Sequence, residues 1–534
     1  MGFIRRTIKN LFKRTSSSPN DQNKKSDKSE ALNKSLQKNI QKVKETLGDS
    51  GDIVIREIRI GKEGKTRVGV FYIDGLADTK SIHSFVMESL MLDIRGTDLE
   101  EMLSRNPLPS LKESVLTVGS IQDVTDFDSF FTSLLSGDTI ILVDGYNSGF
   151  AASTAGWEDR GVQEPTSQTV VRGPREGFTE DLRTNTALIR RKIKDPNLWL
   201  ETQSIGRVTK TNVAIMFIKG IVNDKVVEEV RTRLDRIDID GILESGYIEE
   251  LIQDETYTPF PTVYNSERPD VIAAGLLEGR VAILVDGTPF VLLVPALFIQ
   301  YFQSAEDYYQ RSDFGLLRLL RYLALFIALL GPSLYIAITT FHQELLPTPL
   351  LISLAAQREG VPFPAFVEAL MMEVTFEILR EAGVRMPRAV GQAVSIVGAL
   401  VIGQAAVEAG IVSAAMVIVV SITAIANFSF PSFNMAISIR ILRFALMGIA
   451  GSFGLFGITV GLIAFVLHMC SLRSFGVPYM TPMAPFILAD QKDSLFRLPQ
   501  WALFSRPRLI SQKNVIREQT PPTTKPEPRK GDSG

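Results

Sequence analysis

Hydrophobic positions change rhythm twice along this chain. Residues 1–48 have no apolar periodicity and carry aromatic side chains only at Phe3 and Phe12; Lys, Ser, Asn and Gln dominate. Such a stretch buries too little apolar surface to offset the entropy of ordering, so it reads as a disordered basic arm. From residue 53 to about 295, short β-branched runs alternate with helical patterns, as in α/β domains. Beyond that the apolar runs lengthen. "LALFIALLGPSLYIAITTF" (323–341), "AVGQAVSIVGALVIGQAAV" (389–407), "IVSAAMVIVVSITAIANFSF" (411–430) and "FALMGIAGSFGLFGITVGLIAFVLHM" (444–469) each approach or exceed the roughly 20 residues that cross a bilayer. "PFVLLVPALFIQYF" (289–302) is too short for a clear span and reads as interfacial or half-inserted.

The α/β part repeats itself. "LLSGDTIILVDG" begins at Leu134 and "LLEGRVAILVDG" at Leu276, with eight of twelve positions identical. "RVGVFYIDG" (67–75) returns as "NVAIMFIKG" (212–220). Two matches at nearly one spacing indicate an internal duplication. The expected fold is therefore an α/β soluble N-terminal region of two duplicated lobes, followed by an all-α multispan transmembrane domain. The boundaries read as a basic arm at 1–48, lobe 1 at 49–160, a charged connector at 161–210, lobe 2 at 211–295, the transmembrane domain at 296–490 and a disordered tail at 491–534. Asp144 and Asp286, which close the repeated phrase, read as turn residues rather than a carboxylate pair. "RGPREGF" (172–178) lacks the glycine spacing of a phosphate loop and reads as part of an ordered connector.

The net charge of −2 hides an asymmetry, because twelve Lys and Arg fall in the first 44 residues against Asp21, Asp27 and Glu30. These cations either stay solvated or are drawn to anionic lipid headgroups. The start "MGFIRRTIKNLFKRT" has charges throughout and no uninterrupted apolar core, so no secretory signal is expected and the N-terminal part is placed in the cytosol. One cysteine, Cys470, excludes an internal disulfide, and His83, His342 and His468 sit in unrelated segments. With no HExxH, CxxC or GxSxG pattern, no catalytic residue, metal or cofactor is expected, and nothing points to nucleic acid.

Two segments carry candidate chemistry. In "FPAFVEALMMEVTFEILREAG" (363–383), Glu373, Glu377 and Arg380 share one helical stripe. Charges at membrane depth cost about 2.5–3.5 kcal/mol each on insertion scales and mark functional cavities. The alternative is an interfacial helix with pairing inside the stripe, Glu377 to Arg380 or Glu381 to Arg385. On a helix from 389 to 409, Val394, Val397, Val401, Gln404 and Glu408 fall on one side and small residues, Gly403 among them, on the other. The valine side faces either lipid or a central axis, where rings of valine would gate a pore by dewetting, with Gln404 and Glu408 at its mouth.

At "VVRGPREGFTEDLRTNTALIRRKI", "GVPFPAFVEALMMEVTFEILREAGVRMP" and "GQAVSIVGALVIGQAAVEAG" the chain resembles the A subunits of the GerA family of spore germinant receptors, over about residues 50–490. The resemblance implies an integral protein of the spore inner membrane that works with a B-type transporter-like subunit and a C-type lipoprotein. It also implies self-association into a homo-oligomer, a nutrient-gated ion channel in contact with membrane lipid. A paralogous channel subunit of the sporulation operons, acting downstream of nutrient binding, shares these motifs. A secondary transporter is a further alternative, although the duplicated part lies outside the spans.

Overall fold

The computed structural model describes residues 30–60, 66–87, 120–156, 164–165, 168–310, 315–385, 403–495 and 497–517. Lobe 1 contains helix α1 (Leu36–Leu47), strands β1 (Ile53–Ile60), β2 (Thr66–Ile73) and β3 (Ile121–Val124), helix α2 (Phe127–Leu134), and strands β4 (Thr139–Val143) and β5 (Gly149–Ala152). Lobe 2 contains α3 (Leu182–Lys192), β6 (Leu198–Ile205), β7 (Thr211–Ile218), α4 (Asp224–Asp235), α5 (Ser245–Ile252), β8 (Tyr264–Ser266), α6 (Pro269–Leu277), β9 (Val281–Val285) and β10 (Val291–Val294).

The two sheets follow one plan. Their orders are β1-β2-β4-β5-β3 and β6-β7-β9-β10-β8, antiparallel throughout. The register repeats with the sequence: Val70 pairs with Ile141 in lobe 1, and Ile215 pairs with Ile283 in lobe 2. Each Asp-Gly turn ties its sheet to the helix that opens the lobe. Asp144 Oδ1 accepts from Leu36 N at 2.9 Å, and Asp286 Oδ1 from Leu182 N at 3.2 Å. The next amide, Gly145 or Gly287, donates to Lys34 O or Glu180 O, 2.8 Å in both cases. Both glycines hold φ near +90° (92° and 89°), where a side chain would be strained.

Several boundaries move. Residues 36–47, expected within the disordered arm, form α1, because Leu36, Ile40, Val43 and Leu47 recur at helical spacing and are buried in the lobe 1 core. Gly48 ends the helix in the left-handed conformation (φ 68°). The connector 161–210 contains α3 and β6, which belong to lobe 2. The tail from 491 to 517, as far as it is described, is ordered against lobe 2: Ser511 Oγ donates to Ile221 O at 2.7 Å, Arg506 Nε to Leu277 O at 2.7 Å, and Lys513 pairs with Asp224. Residues 289–302, expected to be interfacial or half-inserted, supply β10 and a buried 3-10 turn, Phe298–Phe302.

The C-terminal region contains α7 (Leu317–Phe341), α8 (Thr348–Arg358), α9 (Ala365–Arg385), α10 (Gly403–Glu408), α11 (Ala414–Phe428) and α12 (Phe433–Ser471). Among the described residues, α7 and α12 are long and apolar enough to cross a membrane, with mean hydropathy of 2.0 and 2.1. The expected span at 411–430 yields the 15 residues of α11, and most of 389–407 lies outside the described residues.

The span expected at 444–469 is not one straight helix. Gly454 has φ 58° and ψ −143°, outside helical space. A Cβ on Gly461 would lie 2.8 Å from Leu446 Cδ2, and one on Gly457 2.7 Å from Ile449 Cγ2. Positions 446 and 461 would be about 22 Å apart along a straight helix. α12 is therefore a helical hairpin, with an outgoing arm (433–453) and a returning arm (455–471) that Gly457 and Gly461 let approach closely. The apex meets Phe341 and His342 at the far end of α7, and the returning arm ends at lobe 2, where His468 Nε2 lies 2.9 Å from Thr258 Oγ1. The described part of the C-terminal tail thus shares a side with the N-terminal lobes.

One core joins lobe 2 to the helices. It runs from Leu198, Met216 and Leu284 through Phe298, Tyr301 and Phe302 to Tyr322, Ala328, Met435 and Ile439.

Candidate ion-pair site

The outgoing arm of α12 places Arg440 and Arg443 three residues apart, and α9 places Glu373 and Glu377 four apart. Both spacings keep each pair on one helical face. Arg443 Nη2 lies 2.6 Å from Glu373 Oε2 and 3.5 Å from Glu377 Oε1, and Arg440 Nη1 bonds Glu377 Oε2. The Glu373 and Arg443 side chains are each 1% exposed. Arg443 is the middle residue of its arm, about 15 Å from either end at 1.5 Å per residue.

Contact and alignment differ at this pair. Although the charges touch, neither Glu373 oxygen receives a directed hydrogen bond among the described residues, and Arg443 Nε and Nη1, Arg440 Nε and Arg380 Nη1 also find no partner there. A pair that only stabilised the bundle would be expected to satisfy its remaining lone pairs and protons, since desolvation otherwise outweighs the Coulomb gain. This arrangement instead leaves polar atoms gathered in the interior of an apolar bundle.

Of the three charged candidates in α9, the structure brings Glu373 and Glu377 together. Arg380 does not pair with Glu377; it lies against the rings of Phe428 and Phe433, at 5.7 and 5.9 Å. The Glu381 to Arg385 pair does form, at 2.7 Å, but on the exposed surface. Sequence reasoning missed the two arginines as partners; the signal was present in a cation pair at three-residue spacing inside an apolar run. It also missed Glu368, fully buried at the other end of α9. Glu368 accepts from the amide and hydroxyl of Ser413, the residue that caps α11.

Of the expected pore face, Val394, Val397 and Val401 lie outside the described residues. Gln404 and Glu408 are exposed and joined by a 2.9 Å hydrogen bond. Gly403, on the opposite face, is buried, with room for a Cβ 3.6 Å from Val417 Cγ1. No group of His, Cys, Asp and Glu among the described residues could hold a metal ion.

Comparison with known proteins gives these arrangements a family. The chain is 53% identical over 488 residues to "Spore germination protein KA" of Bacillus subtilis (strain 168), covering 91% of this chain and 89% of that protein. It is 44% identical over 486 residues to "Uncharacterized membrane protein YfkQ" of the same organism, covering 90% and 93%. Among solved structures, the N-terminal domain of the A subunit of the Bacillus megaterium spore germinant receptor GerK3 is 45% identical and covers 51% of this chain and 99% of that one, with a TM-score of 0.41. The profile of the Bacillus/Clostridium GerA spore germination protein matches residues 41–509. The chain belongs to the GerA family of spore germination proteins.

Proposed function

We propose that this chain is the A-type membrane subunit of a nutrient-responsive spore germination receptor and self-associates into a germinant-gated ion channel. In this reading it sits in the spore inner membrane with its lobes on the cytosolic side. It acts with a B-type transporter-like subunit that holds the nutrient and a C-type lipoprotein. The observation that carries the channel reading is the contact of Glu373 and Glu377 with Arg440 and Arg443, of which the Glu373–Arg443 half is buried among apolar helices with polar atoms that find no hydrogen-bond partner among the described residues. Ionisable groups at such depth mark ion or proton pathways by default. Val394, Val397 and Val401 would form the constriction, with Gln404 and Glu408 at its mouth.

The test is potassium release from intact spores after nutrient addition, with protein abundance checked. Val401→Ala should widen the constriction, giving leak or germination without nutrient, and Val401→Leu should hold it closed. Parental behaviour of Val401→Ala and Val397→Ala alike would remove this face from the gate.

A further inference from the structure

α7 has two opposite faces from its first turn. Inward, Arg318 bonds Asp307 Oδ2 at 3.2 Å and Asp493 Oδ1 at 3.0 Å, and Arg321 grips both oxygens of Asp307 at 2.8 and 2.9 Å. This buried charge cluster bolts the helix to lobe 2 and the C-terminal segment. Outward, Leu316 (62% exposed), Leu317, Leu319, Leu320 and Leu323 are exposed. The apolar outer surface of the helices thus begins level with the charge cluster, not below it.

Two loops of the lobe side continue that surface. Tyr257, 94% exposed, adjoins Thr258, which meets His468 at the end of the returning arm, where Ile463, Val466 and Leu467 also point outward. In the loop after the hairpin, Tyr479 N donates to Leu472 O at 3.0 Å and Met480 and Met483 pack onto the core at the helix bases. Phe486 and Leu488 of that loop point outward, 70% and 66% exposed. Single exposed apolar side chains are ordinary. These instead border the lobe-side helix ends, where the exposed leucines of α7 also begin.

We infer that the underside of lobe 2 is set into the headgroup zone of the bilayer, with Tyr257, Leu316, Phe486 and Leu488 as interfacial anchors. A tyrosine suits that depth, its ring in the acyl boundary and its hydroxyl in the headgroups. The consequence is mechanical: a movement of lobe 2 must displace lipid as well as α7, so bilayer composition acts on the same body as the lobes.

The experiment uses full-length protein with Cys470→Ser, reconstituted in phosphatidylcholine and phosphatidylglycerol vesicles. Spin labels are placed at Tyr257→Cys, Leu316→Cys or Phe486→Cys, with Ile463→Cys as the lipid reference and Gln41→Cys, on lobe 1, as the aqueous one. Accessibility to oxygen and to a water-soluble nickel chelate is then read. The three test labels should fall between the references, with the oxygen-to-nickel ratio several-fold above that of the Gln41 label. A ratio equal to the Gln41 value would place these loops in water. Protection from both reagents would mean a protein surface, a second copy, covers them. Either result overturns the inference.

Discussion

Gly461 lies against Leu446, fifteen positions earlier in the chain, because α12 turns back on itself at Gly454. This contact can be tested directly. In a Cys470→Ser background, Leu446→Cys with Gly461→Cys should crosslink under mild oxidation, whereas Leu446→Cys with Ile463→Cys, whose side chain points outward, should not. A continuous helix would give no crosslink in either. Gly461→Leu should force the arms apart and lower the amount of folded protein, since overpacking of a close contact costs about 1–3 kcal/mol.

Between the lobes, Arg190 bonds both carboxylate oxygens of Asp52 and donates to Leu198 O at 3.1 Å; both side chains are buried. Removing one partner leaves the other charge buried without compensation, a loss of about 3–5 kcal/mol. Asp52→Ala and Arg190→Ala should each lower the unfolding midpoint of the full chain in a thermal melt, and limited proteolysis should cut near residue 50 more readily. Unchanged melts would mean the lobes hold together without this contact.

The duplicated turns make a matched pair of predictions. Asp144→Ala removes the acceptor for Leu36 N and Asp286→Ala the acceptor for Leu182 N. A lost helix-start acceptor costs about 0.5–2 kcal/mol. The two variants should destabilise by similar amounts in a denaturant titration, with Asn retaining most of the effect of Asp. A large asymmetry would show that the two turns no longer do the same work.

These turns were legible because a duplicated phrase with a buried strand and an Asp-Gly end repeats both its chemistry and its spacing. Helix α1 was not: Lys38, Lys42 and Lys44 dominate the composition of its segment and obscure the spacing of Leu36, Ile40, Val43 and Leu47. The hairpin was hidden because Gly448, Gly451, Gly454, Gly457 and Gly461 look alike in sequence, and only Gly454 takes a positive φ. Glu373 and Glu377 stood out as charges in an apolar run. Their partners, 63 or more positions away, are set by tertiary packing that no local pattern encodes.

Lys492 supplies a pH-dependent test outside the spanning helices. Burial lowers its pKa to about 8, against the opposing pull of Asp490 and Asp493. The folded state therefore releases this proton before the unfolded chain, whose lysine titrates near 10.5. Between those values the unfolded state binds more protons, so the contribution of this group to stability rises with pH. Lys492→Met should remove that rise and raise the melting temperature at pH 7. If the difference in melting temperature between parent and variant is the same at pH 7 and pH 9.5, the lysine is not held in this way.

The buried pair in the bundle allows structural and functional roles to be separated. Arg443→Met alone leaves Glu373 at depth without its cation, and Glu373→Gln alone leaves Arg443 without its main anion; each should cost about 3–5 kcal/mol and reduce abundance. Glu373→Gln with Arg443→Met removes both charges, and replacing a buried ion pair by neutral groups of similar volume is often tolerated. Its abundance should therefore recover. If recovered protein also restores parental potassium release from spores, the pair serves only to hold α9 against α12. A variant that assembles but fails to release potassium would instead place these charges in the conducting or gating step, because neutral side chains can fill the space but cannot stabilise a passing ion.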